Sequence, residues 1–94
     1  MFSRGNFLPF SRFVIQEESM LPAFSAGDHV LTFNWGRLKR GDVVVIRLKE
    51  TFFVKRIDKF VDNYVYVSGD NILKSSKIKP LKREQIIGKV VLKY

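Results

Sequence analysis

The chain has 94 residues and a formal charge of +8, from 17 Lys and Arg against 9 Asp and Glu. It is long enough for one small domain, and at 46% hydrophobic residues with 9 Phe it is too apolar for disorder. With no Cys and a single His, disulfides, thiolate metal sites, a cysteine nucleophile and a multi-histidine metal site are excluded, and no metal or organic cofactor is implied.

The chain opens with MFSRGNFLPFSRFVIQ. Phe2, Phe7, Leu8, Phe10 and Phe13 are mixed here with Arg4 and Arg12, and Pro9 interrupts any helix. A cleavable signal needs a continuous apolar centre, which is missing. No apolar run in the chain approaches the roughly 18 residues that span a bilayer. Residues 1–13 are expected as an N-terminal segment with two open readings. It packs on the core, or it forms an interfacial foot that touches lipid through phenylalanines and arginines. A cytoplasmic or membrane-peripheral location is expected, and residues 14–94 are expected as a single domain.

Residues 17–31, EESMLPAFSAGDHVL, place Ser19 between two glutamates and Met-Leu-Pro, ahead of a Gly-Asp turn. HVLTFNW (29–35) alternates, with Leu31, Phe33 and Trp35 on one face and Val30, Thr32 and Asn34 on the other. GRLKRGD (36–42) is a polar connection. VVVIRL (43–48) reads as a buried strand from its β-branched run. TFFVKRIDKF (51–60) is another strand. A turn at Asp62 and Asn63 leads into Tyr64, Val65, Tyr66 and Val67. PLKREQI (80–86) is the one place for a helical turn, and QIIGKVVLKY (85–94) alternates as a strand. The class is all-β, with short coiled sheets or a small barrel.

A serine hydroxyl is a poor nucleophile until a base takes its proton. His29 is the only histidine and sits at a strand entry, a position more often surface than catalytic. A lysine is the other option, and as a base it must be neutral at the working pH. Burial among apolar groups favours that form. In TFFVKRI, period-2 geometry puts Phe53, Lys55 and Ile57 on one strand face. Lys55 is therefore the lysine most clearly flanked by apolar neighbours. Its other reading is a strand residue whose stem packs while its amine reaches water.

SMLP, GDHVL, GDVVVI, FVKRI, VSGDN and IIGKV follow one another in this order. The series resembles the catalytic domain of type I signal peptidases and of relatives that include LexA-type self-cleaving repressors, over about residues 14 to 91. The resemblance implies an all-β fold of coiled sheets and a serine-lysine dyad, with Ser19 as nucleophile and Lys55 as general base. The Ser19 amide would donate to the oxyanion, and Met20 and Pro22 would form the wall beside it. Ser76 would orient the lysine, with Ser75 standing where the family has an Asp that pairs with an Arg. Gly69, Asp70 and Asn71 would shape the turn at the site. Many signal peptidases carry a hydroxyl residue two positions before the nucleophile to complete the oxyanion hole. Glu17 stands there, and an ionised carboxylate cannot donate. A main-chain amide serves instead, or Glu17 points away.

The expected function is a serine endopeptidase that cleaves a precursor protein through an acyl-enzyme, its extended peptide substrate bound by strand addition. Two alternatives stay open. One is a basic β-barrel that binds nucleic acid, which the charge and aromatic content favour and the order of the motifs does not. The other is a peptidase fold without activity, kept for binding.

Overall fold

The computed structural model describes residues 9–74 and 77–94. Seven strands form one antiparallel sheet: β1 (Phe10–Val14), β2 (His29–Phe33), β3 (Val43–Leu48), β4 (Thr51–Val61), β5 (Tyr64–Ser68), β6 (Leu81–Lys82) and β7 (Ile86–Lys93). Their order across the sheet is β1-β2-β7-β3-β4-β5-β6. The fold is mainly β, as expected, in one open sheet that does not close into a barrel. The helical turn expected near residue 83 is a 3-10 turn at Arg83–Gln85.

The β-branched run of β3 explains its place. Val44 and Ile46 face a core with Ile57, Val65, Val67, Leu81 and Ile86. Val45, on the other face, joins Ile15, Met20, Val30, Val54 and Ile87. The centre of the sheet is thus covered on both sides, which is why β3 is apolar from Val43 to Ile46 rather than alternating. Asp62 adopts a left-handed φ of 53° in the β4–β5 turn, a conformation an aspartate tolerates better than bulky residues do. Of the two faces of β2, Val30, Thr32 and Asn34 are the buried one. Its polar members are satisfied: Thr32 Oγ1 donates to Asn34 Oδ1 (2.7 Å), and Asn34 Nδ2 donates to Ser11 Oγ (2.8 Å). Gly88 on β7 lets this network approach, since a Cβ there would lie 2.2 Å from Asn34 Oδ1.

Residues 10–13, assigned by sequence to the N-terminal segment, run as the start of β1 and pair in register with β2, Phe10 opposite Phe33. Residues 1–8 lie outside the described part, and with them most of the expected lipid foot. Among the described residues no helix is long and apolar enough to cross a membrane.

Candidate active site

The loop from residue 15 to 28 carries Ser19 between β1 and β2. Its base is closed by main-chain bonds from the Ile15 N–H to the Asp28 carbonyl (2.8 Å) and from the Gly27 N–H to the Ile15 carbonyl (2.7 Å). Gly27 sits at φ 95°, a conformation that needs glycine. Met20 is fully buried in the second core, so it anchors the loop from within. The Phe24 N–H bonds the Met20 carbonyl at 2.9 Å and tightens the turn. Pro22 follows a cis peptide bond and is exposed on the loop surface. The expected wall is therefore divided, Met20 inside and Pro22 outside.

The 68–71 segment holds the loop from the other side. The Asn71 N–H donates to the Ser19 carbonyl (2.7 Å) and its side-chain amide to the Glu18 carbonyl (2.9 Å). The Asp70 N–H meets Met20 Sδ at 3.4 Å. Asp70 is tied in turn to β4, where Arg56 grips its carboxylate with two bonds of 2.9 and 2.7 Å and also donates to the Gly41 carbonyl. These bonds hold the Asp70 carboxyl below its ordinary range, against a smaller opposing effect of burial. The Arg56/Asp70 pair is a brace that sequence reading missed. Its only signal was an arginine next to Lys55, following the apolar run Phe52–Val54.

Lys55 occupies the apolar strand face predicted for it. Phe53 and Ile57, its neighbours at period 2, pack in or against the first core. Its amine is 6.0 Å from the Phe53 ring centroid and only 4% of the residue is exposed. Lys55 Nζ donates to Ser19 Oγ at 2.9 Å, and Ser19 is itself only 5% exposed. Residues 36 positions apart thus meet in a nearly dry site.

Glu17 does not point away. Ser19 Oγ donates to Glu17 Oε1, and the same oxygen lies 3.6 Å from Lys55 Nζ. His29 is exposed and packs against the Tyr94 ring (5.4 Å between centroids). Ser75 and Ser76 lie outside the described residues. Beside Glu17 a groove of about 460 Å³ runs between the 12–17 segment and residues 50–54. Phe13 and Phe52, from its two sides, pack directly on each other, with ring centroids 5.2 Å apart. β1 is an edge strand, and residues 51–54 of β4 pair only with β3, so both walls present strand edges.

The family model for Peptidase S24-like proteins matches residues 12–91. The chain belongs to the Peptidase S24-like family. That family has a serine peptidase-type fold and lies in the LexA and signal peptidase-like superfamily, and it includes members without enzymatic activity. A comparison with curated proteins gave no match. The matched span runs from within β1 to within β7 and takes in Ser19, Lys55, Arg56 and Asp70.

Proposed function

We propose that this S24-like domain is a serine endopeptidase with a Ser19/Lys55 dyad. The observation that carries the reading is the 2.9 Å contact between Lys55 Nζ and Ser19 Oγ, both almost wholly buried. In the reaction Ser19 Oγ attacks the peptide carbonyl carbon and its proton passes to the neutral Lys55 amine. The resulting ammonium gives that proton to the leaving amine as the C–N bond breaks. Water then attacks the acyl-enzyme, again losing a proton to Lys55, and Lys55 returns that proton to Ser19 Oγ as the ester C–O bond breaks and the acid product leaves. The Ser19 main-chain N–H serves as an oxyanion donor. The substrate lies extended in the groove between β1 and residues 51–54, adding its main chain to exposed strand edges, with small side chains next to the scissile bond. A precursor protein with an extended segment fits that mode.

A second reading, a peptidase fold retained for binding, is favoured by one observation, the carboxylate of Glu17 on the nucleophile. The test separates the two. Intact mass after incubation with a penem or a peptide boronate is expected to show one adduct, mapping to Ser19 and absent from Ser19→Ala. Ser19→Ala is expected to lose cleavage by several orders of magnitude while keeping its fold. Wild-type turnover by Ser19→Ala removes Ser19 from the mechanism, and a wild-type chain that neither cleaves nor labels leaves the binding reading.

A further inference from the structure

We infer that Glu17 is a latch on the nucleophile: in the empty site its carboxylate holds the Ser19 hydroxyl and the Lys55 amine together, and an entering peptide must displace it before Ser19 reacts. The inference rests on the dyad reading and adds a third residue to it, one that opposes the reaction until substrate arrives.

Three features of the contact point the same way. A serine hydroxyl has one proton, and here it is given to Glu17 Oε1 while Lys55 donates to the oxygen. For Lys55 to act as base, the direction must reverse, with the hydroxyl donating to the amine. Next, the carboxylate lies 3.6 Å from Lys55 Nζ as its ion-pair partner, and an ammonium held in such a pair has no lone pair with which to accept a proton. Finally, attack by Ser19 creates a second negative charge within the same small site, where an ionised carboxylate repels it.

The position of Glu17 explains how the latch is lifted. Ser19 and Lys55 are closed off, whereas the Glu17 side chain is 24% exposed and lines the substrate groove. It follows the end of β1 at Val14, so it swings without breaking a ladder bond. A peptide laid along the 12–17 wall meets this carboxylate on its way to Ser19. The other charges around it are Glu18, next in the chain, and Arg12 and Glu50 on the groove walls. Lys55 is the cation within ion-pair distance among the described residues.

The test compares full-length wild type, Glu17→Gln and Glu17→Ala. The readouts are the second-order rate of Ser19 acylation by a penem across pH, and kcat and KM for peptide cleavage. Thermal melts confirm that the variants fold. Both variants are expected to acylate about tenfold faster near pH 7, the effect of removing one close opposing charge. The rise of rate with pH should begin at lower pH in Glu17→Gln, and the gap to wild type should narrow at alkaline pH. A merely structural role for Glu17 would not move this profile. If wild type labels at Ser19 and both variants react at the same rate or more slowly, the latch is overturned and the dyad stands. If none of the three chains labels at Ser19, the dyad reading falls and the latch with it.

Discussion

Replacing Lys55 by methionine removes the amine while keeping a straight apolar stem of similar length beside Phe53. The consequences for rate and for stability differ in size. General-base catalysis typically supplies about 10²- to 10⁴-fold, so cleavage by Lys55→Met should fall by at least about 10²-fold. Stability responds to two opposed changes. A buried amine no longer has to be held away from water, which favours the variant. Ser19 Oγ loses a donor at 2.9 Å, and Glu17 loses its partner at 3.6 Å. An entombed carboxylate left alone would cost about 3–5 kcal/mol. Glu17 keeps a quarter of its side chain in water, so about 1 kcal/mol is the appropriate scale for the lost interaction. Because that gain and loss nearly cancel, the single variant should melt close to wild type. The pair is better isolated by a double-mutant cycle of Lys55→Met and Glu17→Gln, followed by urea unfolding. A coupling of about 1 kcal/mol is expected. Additivity within about 0.3 kcal/mol would show that the two groups do not interact in the folded chain. Cleavage by Lys55→Met within a few-fold of wild type would refute Lys55 as the base.

Two further predictions concern the frame that holds the site. Gly88→Ala puts a Cβ 2.2 Å from Asn34 Oδ1 and 2.9 Å from the Phe33 carbonyl, in a spot where Asn34 is held by Thr32 and Ser11. Overpacking against backbone should cost about 1–3 kcal/mol, and the melting temperature should fall by about 10 °C; an unchanged melt would mean that β2 and β7 do not approach as described. Asp70→Asn tests the brace. The carboxyl is held below its ordinary range in the folded chain by the Arg56 bonds, so the folded state binds its proton more weakly than the unfolded state does. The brace therefore stabilises above the ordinary aspartate range, near pH 4, and its contribution is lost as pH falls through the lower folded value. Both side chains are partly exposed, 37% and 23%, so about 0.5 to 1 kcal/mol should separate Asp70→Asn from wild type at pH 7. That difference should shrink near pH 3 in urea titrations, and a constant difference would exclude the linkage.

Much of this domain is written locally in its sequence. The β-branched run of β3 coincides with Val43–Leu48, the turn at Asp62 and Asn63 separates β4 from β5, and the last alternating stretch became β7. Lys55 stood out for the same reason, because alternation with Phe53 and Ile57 places it on an apolar face wherever the strand ends up. Partners are a different matter. Nothing in a period of two says that β7 lies between β2 and β3, that the sheet stays open, or that Asn34 turns inward to bond Ser11. The same holds at the site. The order of the motifs singled out Ser19 and Lys55, but whether Glu17 faced away or onto the nucleophile was open. Asp70 and Asn71 read as turn residues, yet one holds Arg56 and the other clamps the Ser19 segment. Alternation records which face a residue takes, and it is set by neighbours one or two positions away. What stands across from that face is set by how two cores pack on one curled sheet and where the loops between strands are tied down, so the contacts of Glu17, Arg56 and Asn71 exist only once the whole chain has closed around them.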